Sequence, residues 1–396
     1  MAVSDASQDG TGQLSALFYD PKIRGIVSQV VVAVLLAVFV YWILGNTAEN
    51  LKRANIASGF GFLNGRAGFD IAQTPIQYSS DSTYIRALYV GVINTLIVSA
   101  VGILTALIMG FVIGIARLSS NWLVRSLATV YVETFRNIPP LLQIFFWYFG
   151  VLSVLPQPKQ SIEIPGGAFL NSRGFFLPKP VWGEGSGLIL IALATAILIS
   201  IVVWRMARKR QQETGQQFPV LWTTFGLVIG LPALAFFLTG MPVTIEFPKL
   251  STFNLSGGAQ VKPEFLSLYL ALSVYTASYI AEIVRSGITG VAKGQTEASQ
   301  AVGLSRGQLL KLVVIPQAMR IIIPPLTSQF LNLTKNSSLA IAIGYPDLVA
   351  VGGTILNQTG QAVEIVAVWM VAYLGISVLT SLFMNWFNAK MALVER

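Results

Sequence analysis

The chain has 396 residues, of which 54% are hydrophobic and only 11% are charged, and its formal net charge is +9. Soluble domains carry roughly 25% charged residues, so this composition excludes an ordinary soluble protein and predicts a membrane protein. The absence of histidine and cysteine excludes histidine-based catalysis, metal ligation through these residues, and disulfides.

Long uncharged gaps predict about eight transmembrane helices, because crossing a ~30 Å hydrocarbon core takes about 20 apolar residues. The first gap, 24–49, is predicted to contain a retained anchor at 25–45, since its apolar run is longer than a signal-peptide core. The predicted fold is therefore an all-α, polytopic membrane protein. In chain order, the later gaps are 86–117, 136–159 (extended backwards over 127–132), 184–205, 213–246, 264–282 and 364–390, and one further segment, 321–343, is broken only by Lys335.

Basic residues orient these spans. With both termini inside, the cytoplasmic segments carry fifteen Lys and Arg residues and the periplasmic segments carry nine. Positive charge favours the cytoplasmic side, and the clearest anchor is the run 205–210, which holds four cations. The net charge is thus interpreted as an orientation signal and not as a nucleic-acid-binding surface.

The most informative cytoplasmic segment is 294–317, where local signals predict two short helices joined by a turn. Thr296 is a capping residue for the first helix, with Glu297 beside it at the positive end. Gly303 can supply the left-handed residue that ends this helix. A short helix followed by a turn is therefore expected.

The second helix of this segment has its own start and stop signals. Ser305 and Gln308 have the spacing of a capping box, and Pro316 is expected to stop or kink the helix before the next span. The pattern alone leaves two interpretations open. The segment is either a docking element for a partner or an amphipathic connector at the membrane surface.

The segment resembles the EAA loop of ABC importer permeases, in which three residues separate Glu-Ala-Ala from Gly and nine residues separate that Gly from Ile-x-Leu-Pro. The resemblance implies a type I importer permease fold whose loop seats on a cytoplasmic ATPase and transmits its closure to the spans. The positions that match are Glu297, Ala298, Gly303 and Pro316, and the conservative departures are Ser299, Val313 and Ile315.

Further stretches narrow this resemblance. Asn94-Thr-Leu and the stretches 131–139, 279–285 and 335–344 resemble the polar amino-acid uptake family of permeases. The stretch 59–70 and an inserted helix pair resemble the permease subunits of general L-amino acid transport systems. Ordinary members of the amino-acid family are shorter and lack the pair, so the resemblance implies no role for it.

The resemblance divides the chain into a permease core and additions to it. The additions are periplasmic and N-terminal segments whose Gly- and Pro-rich sequence shows little structural pattern. In order, we predict a cytoplasmic segment 1–24, the anchor 25–45, a periplasmic segment 46–86, core helices 2 and 3 at 87–156, periplasmic segments with the inserted pair (about 187–204 and 218–239) at 157–264, and core helices 6 to 8 at 265–390, which contain the cytoplasmic coupling loop 290–320.

Lys335 interrupts an apolar segment, where a charge is costly unless it is paired or hydrated. One interpretation places Lys335, Asn336 and Ser337 on the translocation path, with the ammonium meeting a substrate carboxylate. The alternative is a structural role, through snorkelling toward an interface or through an ion pair. The acids available for such a pair are Glu282, Glu133 and Asp347.

Two further acids have a basic residue three positions later. Glu133 and Arg136 could pair on one helix face just before Pro139, where a gate is the alternative interpretation. Glu282 and Arg285 repeat the spacing, and an ordinary intrahelical pair is expected there, with Glu282 kept as a candidate for the path.

The leading functional hypothesis is the permease subunit of an ATP-driven amino-acid importer. The chain has no Gly-x-x-x-x-Gly-Lys-[Ser/Thr] loop, so no cofactor is expected in it, and ATP and Mg²⁺ would bind a separate ATPase dimer. The other implied partners are a second homologous permease subunit, a periplasmic amino-acid-binding protein and the amino-acid substrate, in a bacterial inner membrane. A stand-alone ion- or proton-coupled carrier is the alternative, and a structural subunit of an energy-transducing complex is a third.

Overall fold

The computed structural model describes residues 21–53, 58–251 and 255–391. Helices dominate the described chain, which confirms the predicted helical fold. They are α1 Pro21–Arg53, α2 Tyr84–Ala116, α3 Trp122–Asn137, α4 Pro140–Phe145, α5 Gly187–Thr214, α6 Val220–Leu238, α7 Pro263–Thr289, α8 Lys293–Ala301, α9 Arg306–Leu309, α10 Ile315–Asn336, α11 Leu348–Thr359 and α12 Ala362–Met391.

Seven helices in the described residues are long and apolar enough to cross a membrane. One of them is continuous over Arg306–Ile343, because α9 passes into α10 through a π-helical turn and α10 ends in a 3-10 turn. The remaining predicted span, 136–159, is a shorter apolar helix, Pro140–Leu152. Most of the predicted N-terminal segment, 1–24, lies outside the described residues.

The shorter helix results from a break at the Pro-Pro pair. Ile138 is extended (φ −94°, ψ 123°), as expected for a residue that precedes proline. Pro140 then occupies the first turn of α4, where its missing N–H is tolerated. The apolar stretch 127–132 therefore belongs to a separate helix, α3, and does not extend the next one backwards.

Contacts divide the chain into two compact units, and α2 and α12 each contribute residues to both. The first unit combines the described residues up to Val92 with Leu348–Ile376. Its core contains Leu88, Ile355 and Ile365. The segment 58–83, for which the sequence showed little pattern, is held by side-chain contacts. The Gly59 N–H donates to the buried Glu364 carboxylate (2.5 Å), and the Tyr78 hydroxyl donates to the Phe69 carbonyl (2.8 Å).

The second unit, Ile93–Asp347 with the described part of Ser377–Arg396, is built around α7. This helix is buried along much of its length and packs against α3, α4 and α10. Gly110 and Gly114 of α2 face α7 closely, since a Cβ at Gly114 would lie 2.7 Å from the Ala281 carbonyl oxygen. This glycine pair therefore serves the internal packing of α2 against α7. The second such pair, Gly226 and Gly230, meets nothing within 4 Å in the described residues.

Short strands flank the inserted helices, where the sequence predicted none. The strands are β1 Ile162–Ile164, β2 Ala168–Asn171, β3 Gly174–Leu177, β4 Lys179–Trp182, β5 Val243–Glu246, β6 Lys249–Leu250, β7 Leu255–Ser256 and β8 Ala259–Val261. They form one antiparallel sheet in the order β1-β2-β3-β8, and two further pairs are β4 with β5 and β6 with β7. Each strand has four residues or fewer, too few to show an alternating pattern.

Candidate functional site

The first helix of the coupling loop begins earlier than predicted. α8 starts at Lys293 with no side-chain cap, so Thr296 lies inside the helix and the capping prediction is wrong. Glu297 is consequently in the middle of the helix and not at its positive end. Its side chain is exposed, as is Ala298, whereas Ser299 is buried and its hydroxyl donates to the Gln295 carbonyl (2.6 Å). The helix therefore presents Glu297 and Ala298 outward and Ser299 inward.

The turn and the second helix follow the prediction. Gly303 has φ +79°, a left-handed conformation that other residues rarely adopt. At Ser305, the backbone N–H donates to the Gln308 Oε1 (2.9 Å), and the Gln308 N–H donates back to the Ser305 Oγ (3.4 Å). The predicted capping box is confirmed, and it fixes the direction in which α9 leaves the turn.

The second helix of the loop does not stop at Pro316. A π-helical turn, Leu310–Val314, joins α9 to α10, and Pro316 lies in the first turn of α10, a position where proline is tolerated. The side-chain amide of Gln317 donates to the Gln295 Oε1 (3.3 Å), which links α10 back to α8. The loop is thus joined to a membrane-spanning helix both along the chain and through a side-chain bond.

Apolar side chains are exposed on this loop. Val302, at the end of α8, is 76% exposed, and Leu312, in the π-helical turn, is 61% exposed. Together with the exposed Glu297 and Ala298 they form what we call the coupling surface. These exposed apolar side chains make the loop a candidate protein-binding surface.

A four-charge network lies at the ends of α2, α3 and α7. The Arg117 guanidinium, only 11% exposed, pairs with Glu282 and also contacts Glu133 (3.7 Å). Arg285 pairs with Glu282 (2.6 Å), so that predicted intrahelical pair is confirmed. The suggested pair of Glu133 with Arg136 is wrong, because Glu133 turns toward Arg117, a residue that the sequence interpretation left out.

Arg136 instead lies against an aromatic side chain. Its guanidinium is 5.1 Å from the centre of the Tyr279 ring, within the range of a cation–π interaction. The Tyr275 hydroxyl donates to the Tyr279 hydroxyl (3.2 Å), and the Tyr279 hydroxyl donates to the Arg136 carbonyl (3.4 Å). Cation, aromatic rings and hydroxyls are therefore connected across α3 and α7.

These tyrosines line a polar cavity of about 290 Å³ between α7 and α10. Each residue that lines it carries a hydroxyl or a side-chain amide, which is uncommon in a region as apolar as these spans. The lining residues are Tyr275, Thr276, Tyr279, Gln329, Asn332 and Asn336.

The three path candidates at the end of α10, Lys335, Asn336 and Ser337, lie in three different environments. Asn336 lines the cavity. Ser337 is buried and its hydroxyl donates to the Thr334 carbonyl (2.8 Å), a bond that satisfies helix backbone. Lys335 is exposed and, within the described residues, forms no ion pair with the three acids considered for it.

Comparisons with known proteins decide the family. Residues 213–393 match the model of the binding-protein-dependent transport system inner membrane component. Over its 396 residues the chain is 61% identical to the general L-amino acid transport system permease protein AapQ of Rhizobium johnstonii, of which it covers 99%. The chain belongs to this family of inner-membrane permeases.

Two further relatives are similar along their length. The permease is 49% identical over 386 residues to the putative amino-acid ABC transporter permease protein YhdX of Escherichia coli, with 97% of this chain and 98% of the relative covered. It is 41% identical over 428 residues to the glutamate/glutamine/aspartate/asparagine transport system permease protein BztB of Rhodobacter capsulatus, and both chains are covered in full. It is a multi-pass inner-membrane subunit of an ABC importer, and the stand-alone carrier is not favoured.

Sequence interpretation missed several residues of the site. Gln329 and Asn332 share one face of α10 with the candidate Asn336, at spacings of three and four positions, and this spacing was a usable signal. Val302 was visible as an apolar residue beside Gly303, but its exposure depends on the turn. No local pattern connects Arg117 to Glu282, 165 positions away.

Proposed function

We propose that this permease moves L-amino acids inward across the membrane, together with a second, homologous permease subunit. A cytoplasmic ATPase dimer, which holds ATP and Mg²⁺, docks on the coupling surface, and a periplasmic binding protein delivers the substrate. The amino-acid systems named for its relatives support the substrate class. The observation that carries the proposal is the exposed coupling surface joined directly to α10.

The chemistry of the coupling surface fits a protein partner. Val302 and Leu312 offer apolar side chains, and burying a valine contributes about 1.5–3 kcal/mol. Glu297 lies on α8, which ends directly before Val302, and offers a carboxylate to a basic partner residue. Because α9 continues into α10, a displacement of the docked loop is passed to the helix that lines the polar cavity.

We assign the substrate path in this subunit to the polar cavity. Its amides and hydroxyls can replace water around an amino acid that has left bulk solvent. The Arg136 Nε is buried and has no hydrogen-bond partner in the described residues, so the guanidinium is available for a carboxylate. In this proposal Arg136, and not Lys335, meets the substrate, with Asn336 on the facing helix.

In this proposal the charge network stabilises a gate of the substrate path. Glu282, Glu133 and Arg117 connect the ends of three elements, one of which, α7, lines the cavity. This assignment assumes that both termini are cytoplasmic, as the distribution of basic residues predicts.

Transport by reconstituted proteoliposomes tests the docking assignment. Val302→Asp places a carboxylate where a valine is expected to be buried, and we expect ATPase affinity to fall at least about tenfold and uptake with it. Gln212→Asp is the matched control, because it adds the same charge at an exposed position of α5 outside the loop. Uptake that persists without the ATPase would refute the importer mechanism, and equal effects of the two variants would refute the docking surface.

A second pair of variants tests the path. Arg136→Gln removes the cation beside the cavity and is expected to lower uptake about tenfold or more, while ATPase docking stays intact. Lys335→Gln removes an exposed cation and is expected to change uptake less than about twofold. The reverse order would assign the substrate carboxylate to Lys335.

A further inference from the structure

The inserted helices α5 and α6 form a hairpin that packs on itself. The hairpin contains a cavity of about 280 Å³ that is almost entirely apolar. Val203, Met206, Ala207 and Arg210 line it from successive turns of α5, and Phe218 lines it from the segment before α6. From Val203 to Arg210 the cavity follows α5 for about 10 Å at 1.5 Å per residue.

One end of this cavity lies within a dense group of cations. Four basic residues fall within six positions, 205–210. Lys209 is matched by Glu213 (3.8 Å), and the Arg208 guanidinium lies over the Trp204 ring (5.5 Å). Arg210 lines the cavity and donates one bond, to Gln216 (2.7 Å), whereas a guanidinium carries five donors.

The length of α5 places these cations at a membrane surface. Its 28 residues span about 42 Å, more than the ~30 Å hydrocarbon core. The apolar part of the helix therefore fills the core and its cationic last turns reach the headgroups. The apolar lining of the cavity, with the Arg210 guanidinium at one end, matches the apolar and anionic parts of a phospholipid.

We propose that the hairpin binds one anionic phospholipid, with an acyl chain along Val203, Met206 and Ala207 and the phosphate on Arg210. Basic pockets between membrane helices are suited to anionic headgroups. The apolar lining distinguishes this site from a purely electrostatic attraction, which would need no cavity. A free phosphate would leave the apolar part of the site empty.

Native mass spectrometry of the assembled transporter tests the proposal, with dioleoyl phosphatidylglycerol and dioleoyl phosphatidylcholine as probes. We expect one phosphatidylglycerol per copy of this chain to be retained at least about tenfold more tightly than phosphatidylcholine. Arg210→Gln should weaken retention about tenfold, and Ala207→Leu, which narrows the cavity, should weaken it without changing charge. Lys209→Gln is the matched control, since it removes one charge from the same run but does not line the cavity.

Several results would overturn the proposal. Equal retention of the two lipids would exclude headgroup recognition. If Arg210→Gln and Lys209→Gln weakened lipid retention equally, the retention would come from the overall charge of the run and not from a site at Arg210. Displacement of the lipid by millimolar glycerol 3-phosphate would assign the site to a soluble phosphate. A photoactivatable phosphatidylglycerol that labels the transporter outside 203–218 would show that another part of the protein covers the cavity.

Discussion

The two glycine pairs of this permease provide an internally controlled test of its packing. A Cβ added at Gly114 would lie 2.7 Å from the Ala281 carbonyl oxygen and 2.8 Å from the Val284 Cβ. Normal contacts are roughly 3.5 Å, so α2 and α7 would have to separate by about 0.8 Å. The nearest atom is backbone and cannot rotate away, and the strain must therefore move a whole helix.

The expected magnitude follows from two opposing effects. Overpacking costs about 1–3 kcal/mol, while replacing glycine by alanine inside a helix gains up to about 1 kcal/mol. Gly114→Ala should therefore destabilise the folded permease by about 1–2 kcal/mol. Gly226→Ala meets no atom within 4 Å in the described residues, so only the favourable contribution applies, and the variant should be unchanged or stabilised by up to about 1 kcal/mol.

Equilibrium unfolding in mixed micelles with increasing detergent denaturant measures both variants under the same conditions. Thermal unfolding of the assembled transporter gives an independent ranking. If Gly114→Ala were as stable as the unmodified chain, the close approach of α2 to α7 would be wrong. If Gly226→Ala were equally destabilised, the conclusion that no atom packs against Gly226 on α6 would be wrong.

Three other changes have defined outcomes. Arg117→Met leaves Glu282 with one partner fewer in a poorly exposed network, and we expect a loss of about 1–3 kcal/mol in the unfolding assay. Ser305→Ala removes the helix cap and should cost about 1 kcal/mol locally, seen as faster hydrogen exchange in α9 and weaker ATPase docking. Burial raises the pKa of Tyr78, with a smaller contribution from Asp70. The neutral phenol is therefore favoured in the folded state, and stability should fall as pH rises above about 10, a dependence that Tyr78→Phe should reduce in thermal unfolding.

Matched measurements make these results interpretable. Arg53→Met breaks a pair with Glu49 whose side chains are 73% and 62% exposed, so it should change stability by less than about 0.5 kcal/mol. If Arg117→Met and Arg53→Met lowered stability equally, the Arg117 network would contribute no more than an exposed surface pair. Unchanged exchange in α9 after Ser305→Ala would mean that the π-helical turn, and not the cap, holds that helix.

Much of the fold could be predicted because charge avoidance in a bilayer acts on every residue. Gaps between charges located the spanning helices, and Gly303 and Ser305 identified the turn of the coupling loop, since both act through their own backbone. The break at Ile138 was also present in the sequence as the pair Pro139-Pro140, where a helix can start or bend.

The remaining features depend on distant partners. The three small sheets pair strands of at most four residues, and β3 and β8 are separated by the whole inserted hairpin. Glu133 could be given a partner only by its own helix, whereas folding supplies Arg117. Thr296 has the chemistry of a cap, but α8 begins three residues earlier, at Lys293, without a side-chain cap.

The continuous helix Arg306–Ile343 has a mechanical consequence. Pro324 and Pro325 lie inside it, where proline removes backbone bonds and weakens the helix locally. They divide it into two arms of about 18 residues, each roughly 27 Å long. Pivoting by 10° about the proline pair would move the Arg306 end about 5 Å sideways. Because the arms are equal, a rigid rotation would move the end near the cavity by the same distance. If the helix bent at the prolines, that displacement would be absorbed there. The stiffness of these two residues therefore sets how much of the loop's movement reaches the cavity.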